Sequence, residues 1–279
     1  MTDTLKMGVS ACLLGQRVRY NGGHTRDHFL ADTLGSYVDY VPVCPEVECG
    51  MPIPRETLRL VGEPENPRLL TTKTKKDMTE QMTSWAAGRL DALARENLCG
   101  FIFKSASPSS GMSGVKVYTE AGMPSKRGAG IFARMFMDRF PMLPVEDEGR
   151  LHDPVLRENF IERIFVYKRW QDLLTAGKTR GGLVDFHTRQ KLLIMAHSPA
   201  HYREMGKLVA DAKAFSPDTL YDQYAELLNA AMSLRPTIKK NLNVLMHIMG
   251  YFKKDLSADE KQELLEIYDQ FKQHYLPLI

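Results

Sequence analysis

The chain has 279 residues, 43% of them hydrophobic and 25% charged, which is the composition of a globular protein of one large or two moderate domains. Its formal net charge of +3 excludes a global basic field as a reason for binding nucleic acid, so any such contact has to rest on a local patch. The first residues, MTDTLKMGVSACLLG, show no basic-then-apolar leader, and no apolar run approaches the roughly 20 residues of a membrane-spanning helix. The expected setting is the cytoplasm, with no membrane partner. Thiols stay reduced there, and clustered cysteines serve more often as metal ligands or reactive groups than as disulfides.

In chain order, MGVSAC predicts a short buried strand from Met7 to Cys12, followed by the polar loop QRVRYNGGHTRD and a helix-like stretch from His28 to Leu34. YVDYVPVC is a second strand ending at Cys44, and a Pro-rich loop, CPEVECGMPIPRE, comes next. Met78, Met82, Trp85, Leu90 and Leu93 form an apolar stripe at helical spacing between Asp77 and Glu96. CGFIFKS is a third strand that breaks at SPSSG, and VKVY a fourth. IFARMFMDRF is a helix and FPMLPVE a last strand. Strands alternating with helices predict an α/β domain with a mostly parallel, Rossmann-like sheet over residues 1–150. After the acidic stretch EDEGRLHDP the texture changes to repeated 3–4 residue apolar spacing, broken at Gly, Pro and Ser–Pro–Asp. Residues 156–279 are therefore expected to form an all-α domain.

Three predicted strands end in chemically notable residues: Cys12, then Cys44 with Glu46, then Lys104 running into the serine-rich turn of Ser107, Ser109 and Ser110. Strand C-termini of a parallel sheet lie along one edge, where such folds place their sites. Cys12 and Cys44 are expected to converge there, and Cys49 shares the loop of Cys44. Cys99 starts its strand, so it belongs at the opposite edge as a small buried hydrophobe. The spacing is not that of a zinc ribbon. It leaves two readings, scattered structural cysteines or thiolate ligands of an iron–sulfur centre. The other groups also carry two readings each. Glu46 is either a proton-transfer group or a loop-end carboxylate that caps a helix or pairs with Arg55. Lys104 is either a holder of phosphate or developing negative charge, or a solvated strand-end lysine. The serine turn either offers free N–H groups to an oxyanion or is a plain capping turn. The loop bearing Arg17, Arg19 and Tyr20 either contacts base and ribose or is a solvated basic loop.

SACLLGQRVRYNGGH, VPVCPEVECGMPIPRE, LRLVG and KSASPSSG resemble the thiouracil desulfidase family. Residues from about Tyr167 onward resemble the YbgA-like helical family, most clearly in TRGGLVDFHTRQKLLIMAHS and NVLMHIMGYF, and the fusion of the two is similar to the tRNA 4-thiouridine desulfidases. The resemblance implies a 4Fe–4S cluster held by three cysteines, with one open iron for the sulfur of a thiolated pyrimidine that water then replaces. It matches Cys12 and Cys44 to ligands, Glu46 to the acidic residue that moves protons and Ser107 to a serine of the substrate pocket; Ser109, Ser110, Arg17 and Tyr20 stay substrate-contact candidates from the serine turn and the basic loop alone. One position departs: the family usually reads SPSCG where this chain reads SPSSG, so Ser110 stands where the third thiolate is expected. Cys49 is expected to supply that thiolate instead, from its place beside Cys44.

The helical half has 17 basic and 14 acidic residues from Phe160 onward, so composition alone favours an ordinary mixed surface. Arg180, His187, Arg189, Lys191, Lys239 and Lys240 are the candidate phosphate contacts among its basic residues, and the resemblance implies the partner, tRNA or a thiolated nucleotide. His187, Arg189 and Lys191 recur at two-residue spacing and cannot all share one helical face, so at least one of them is structural. The alternatives are a desulfidase of free thiobases or nucleotides only, and a non-enzymatic iron–sulfur or zinc module that binds RNA or senses redox state.

Overall fold

The structure, a computed structural model, describes residues 5–278. It divides into two compact units between Lys168 and Arg169. The first unit contains, in order, β1 (Leu5–Ser10), β2 (Val38–Val43), the single turn α1 (Pro45–Glu48), β3 (Leu58–Val61), β4 (Arg68–Thr71), α2 (Thr79–Ala94), β5 (Gly100–Phe103), β6 (Val115–Tyr118), β7 (Pro124–Gly128), α3 (Ile131–Arg139) and β8 (Val145–Asp147). The helices that follow are α4 (Pro154–Ala176), α5 (Arg180–His197), α6 (Pro199–Ala210), α7 (Pro217–Ser233), α8 (Ile238–Tyr251) and α9 (Ala258–Lys272).

The main sheet has the order β2-β1-β5-β8, and all its pairings are parallel. Its strands are apolar on both faces, as β5 (Gly-Phe-Ile-Phe, wholly buried) illustrates, because elements cover both sides. On one face Phe101, Phe103, Phe132 and Phe136 pack with Leu90, Leu93 and Met82 of α2. On the other, Leu5, Met7 and Val9 pack with Phe160 and Ile164, the first turns of α4, which explains why the first unit extends to Lys168. Cys99 lies in this second cluster, fully buried at the start of β5, and its N–H donates to Lys6 O at 2.8 Å.

A second sheet, ordered β4-β3-β6-β7, is mixed and was not expected. It takes VKVY (β6) away from the parallel sheet, and FPMLPVE contributes only its end to β8. The His28–Leu34 stretch forms a π turn and a 3₁₀ turn rather than an α-helix.

The second unit is helical, with Trp170, Phe186, Tyr221 and Tyr224 at its centre; Trp170 and Tyr224 stack with centroids 5.5 Å apart. Its helices start at hydroxyl caps, Thr179, Ser198, Ser216, Thr237 and Ser257, each accepting a backbone N–H of the first turn. Among the described residues no helix is long and apolar enough to cross a membrane.

Candidate active site

The C-terminal ends of β1, β2 and β5 open on one cavity of about 410 Å³, within the range of small-molecule sites. Ser10, Ala11 and Cys12 come from the end of β1, Val43, Cys44 and Glu46 from β2 and the turn after it, and residues Lys104 to Ser110 from the loop after β5. Ser10 Oγ accepts the Lys104 N–H at 2.8 Å, which ties two of these strand ends together.

Cys12 sits in a 3₁₀ turn directly after β1, closed by Gly15 at φ 90°. Its carbonyl accepts the N–H of Gly15 at 3.3 Å and of Thr25 at 3.1 Å, folding the 15–25 loop back over the site. Cys44 caps α1: its N–H donates to Glu48 Oε1 at 2.8 Å and its carbonyl accepts the Glu48 N–H at 2.9 Å. Burial raises both thiols above the usual range, Cys44 to about 11 with the nearby Glu46 charge adding to it, while Lys104 and Arg19 act against burial at Cys12. Both thiols must release a proton to act as thiolate ligands.

Glu46 combines both of its expected readings. It lines the cavity, and its Oε2 accepts Arg55 Nε at 2.8 Å and Nη2 at 2.6 Å. The Arg55 side chain is only 6% exposed and also donates to Val18 O at 2.8 Å, so this is a sheltered, two-pronged ion pair with a fixed direction. The other oxygen, Oε1, accepts Ser109 Oγ at 2.8 Å, and Ser109 Oγ lies 3.0 Å from Ser107 Oγ. With Ser109 donating to the carboxylate, Ser107 is left to donate to Ser109. The result is a line of hydroxyls ending on Glu46. Ser107 Oγ in turn accepts the N–H groups of Ser109 (3.3 Å) and Ser110 (3.1 Å). The serine turn is therefore closed on itself and does not offer those N–H groups to an oxyanion.

Lys104 lines the cavity, but its Nζ is engaged by the Glu148 carboxylate and by Ser105 O (3.2 Å) and Oγ (3.0 Å). Tyr20 and Arg19 reach the cavity, whereas Arg17 is exposed and outside its lining.

Cys49 departs furthest from expectation. It is not part of the cavity wall. It packs in the apolar cluster with Met51, Met78 and Met82, and its Sγ donates to Glu46 O at 3.3 Å. Cys12, Cys44 and Ser110 share the cavity; Cys12, Cys44 and Cys49 do not. Among the described residues no group of three or more His, Cys, Asp or Glu side chains is gathered as a metal site.

Sequence reasoning named Arg55 only as a competitor for Glu46 and overlooked Glu148 and Ser105. Glu148 lies in the acidic run EDE, whose only visible signal in the sequence is the change of texture between the two domains.

In the helical unit, the expected RNA contacts separate. His187 is buried, its Nδ1 3.1 Å from Tyr224 Oη, and burial lowers its pKa, with the Lys191 charge adding to this. His187 is a core residue, which corrects its expected place on an RNA surface. Arg180 spends its guanidinium on Ala212 O and Phe215 O, and Lys240 Nζ on His197 O and Arg235 O. Arg189 is exposed in an ion pair with exposed Asp185, Lys191 lies over the Tyr251 ring at 5.8 Å, and Lys239 is exposed.

Comparison with known proteins places this geometry in a family. A family described as 2-thiouracil desulfurase matches residues 7–148, the stretch that builds the cavity. The chain belongs to the 2-thiouracil desulfurase family. Residues 191–279 match a second family, described as a protein of unknown function (DUF1722). The chain is 36% identical over 118 residues to the uncharacterized protein YbgA of Escherichia coli strain K12, which covers 42% of this chain and 70% of that protein. It is 30% identical over 135 residues to the uncharacterized protein YbbK of Bacillus subtilis strain 168, covering 46% of this chain and 86% of that one. A solved structure of a 4Fe-4S-dependent thiouracil desulfidase, TudS, is 30% identical and covers 54% of this chain and 95% of its own, with a TM-score of 0.44. The desulfurase match thus spans the parallel sheet and its site, and the second match lies wholly within the helical unit.

Proposed function

We propose that this desulfurase-family chain removes the sulfur of 4-thiouridine, in tRNA or its nucleotides, releasing sulfide and leaving uridine. The observation that carries the reading is the line Ser107–Ser109–Glu46, which shares one cavity with the buried thiol of Cys12 and the half-buried thiol of Cys44. A 4Fe–4S cluster suits this wall. Cys12 and Cys44 supply two thiols, and Ser110, 4% exposed, brings a hydroxyl for which the described residues provide no hydrogen-bond partner. When bound, such a cluster supplies a soft Lewis acid for a thiocarbonyl sulfur, which makes the ring carbon easier to attack.

The chain's own residues do the rest. Glu46 Oε1 takes a proton from the water that attacks the sulfur-bearing carbon, and the proton is returned to the departing sulfur. Arg55 holds the carboxylate in one orientation, so that Oε1 faces the serines. The Ser109 and Ser107 hydroxyls relay protons along the wall. Lys104 is held by Glu148 against the loop that carries them. The carbon–sulfur bond breaks, a carbon–oxygen bond forms, and water supplies both the oxygen and the protons of the sulfide. tRNA lies on the helical unit at Arg189, Lys191 and Lys239, whose charges remain at the surface.

The test is anaerobic incubation of cluster-loaded protein with thiolated tRNA and with free 4-thiouridine monophosphate. The expected result is loss of the thiouridine absorbance with stoichiometric sulfide. Loss with the mononucleotide only would remove tRNA as the substrate, and no loss with either would remove the desulfidase reading.

A further inference from the structure

Three protein thiolates are expected at the cluster, but only two face the cavity. Cys49 is held away from it by its own backbone. Its N–H donates to Pro45 O at 3.0 Å, its carbonyl accepts Gln81 Nε2 at 2.7 Å, and the next turn is fixed by Met51 N–H to Glu46 O at 3.0 Å. Its Sγ is engaged by Glu46 O at 3.3 Å, and the residue packs in the apolar cluster that also holds Met51, Met78 and Met82, so turning Sγ into the cavity would give up that contact and that packing.

Ser110 is placed in the opposite way. It lies on the cavity wall with Cys12 and Cys44 although far from both in sequence. Its backbone is set by α3. The N–H groups that open that helix donate to the serine turn, Gly130 to Gly111 O at 2.7 Å, Ile131 to Pro108 O at 3.2 Å and Ala133 to Ser109 O at 3.2 Å. Gly130 packs so closely that a Cβ there would meet the Ser109 carbonyl carbon and oxygen at 2.5 Å and Ser110 N at 2.7 Å. The Ser110 N–H is taken by Ser107 Oγ, but Ser110 Oγ itself has no partner among the described residues. Ser110 Oγ is not one of the enclosed unpartnered side-chain atoms among the described residues, so it stays open to the cavity, where a ligand or ion can reach it.

We propose that Ser110 Oγ is the third protein donor to the iron–sulfur cluster, completing the set with Cys12 and Cys44, and that Cys49 is not a ligand. This inference rests on the reading above that a cluster is held in this cavity. A serine oxygen is a harder donor than a thiolate and grips cluster iron less well. The cluster of this chain is therefore more readily lost to chelators than one held by three thiolates, and a single substitution, Ser110→Cys, converts it.

The experiment is anaerobic reconstitution of the full chain with ferrous iron and sulfide, followed by iron and sulfide analysis, charge-transfer absorption and the rate of iron loss to a chelator. Wild type and Cys49→Ala are expected to load alike, at about four iron per chain. Ser110→Ala is expected to retain roughly tenfold less iron after chelator challenge. Ser110→Cys is expected to load fully, with a stronger thiolate-to-iron band and slower iron loss than wild type. This variant keeps the test open should Ser110→Ala fold poorly. Iron lost in Cys49→Ala and retained in Ser110→Ala would overturn the assignment in favour of Cys49. A wild type indistinguishable from Ser110→Cys in band and chelator loss would overturn it as well, and so would iron held by Ser110→Cys but not by wild type. Iron held by neither would instead overturn the cluster reading on which the assignment stands.

Discussion

Glu46 and Arg55 form a sheltered pair that faces the site, and this decides how each should respond to substitution. Glu46→Gln keeps the shape and the contact with Ser109 but cannot take a proton, so desulfidation by the loaded protein should fall roughly 100- to 10,000-fold with iron content unchanged. Arg55→Ala frees the carboxylate to rotate and leaves a partly buried charge unpaired, so the rate should fall and the pH profile should move, with partial recovery in Arg55→Lys. An unchanged rate in Glu46→Gln would remove it as the base. His187 offers a second residue-scale prediction. Burial, reinforced by Lys191, lowers its folded pKa below the value near 6.5 of the unfolded chain. As pH falls through about 6.5 the unfolded chain takes a proton that the folded ring refuses, so stability present at neutral pH is lost on acidification. Urea unfolding should show a loss of stability between about pH 7.5 and 5.5 that is smaller in His187→Gln. Equal losses in the two proteins would contradict this.

At the scale of elements, the site is three strand ends and one turn buttressed by α3. Gly130 should be the sensitive point of that arrangement. A methyl group there collides with backbone rather than with a flexible side-chain end, so Gly130→Ala should cost about 1–3 kcal/mol in denaturant unfolding and weaken substrate binding. A variant with wild-type stability would show that α3 can back away from the serine turn without harm. The strand ends were legible in the sequence because β1, β2 and β5 are apolar runs broken abruptly by chemistry-bearing residues, and parallel strands put those breaks on one edge. The position of Cys49 was not legible from its nearness to Cys44. The intervening residues form a helical turn, and five steps of about 100° leave the second cysteine about 140° round the axis from the first. The mixed sheet was hidden for a different reason. β3, β4 and β6 have four residues each, too few for alternation to show, and β7, Pro-Ser-Lys-Arg-Gly, is an edge strand whose residues are polar because only its last one is buried.

At the scale of the whole molecule, the cavity of about 410 Å³ lies in one unit and the second is helical, and the proposed division of labour between them is one that composition does not reveal, since the net charge is +3. What matters is which cations remain unspent. Arg180 and Lys240 hold their own unit together through backbone carbonyls, and His187 serves its core. Lys191 and Lys239 keep their charge at the surface, where Arg189 is also exposed but paired with Asp185, and Tyr251 beside Lys191 is a face on which a base can stack. If these cations meet phosphates, binding of tRNA to the full chain should weaken with added salt, each contact contributing about 0.9 to the logarithmic slope for a duplex. The double variant Lys191→Ala, Lys239→Ala should lower that slope by about two and raise the dissociation constant roughly tenfold at low salt. Arg180→Ala should act differently. By releasing two backbone carbonyls it should lower the unfolding midpoint first, with the salt slope of the remaining folded protein close to that of wild type. Filter binding across a salt series separates these outcomes. A double variant with the wild-type slope would place the phosphate contacts elsewhere, because a cation that touches RNA cannot be removed without removing the counterions its phosphate released.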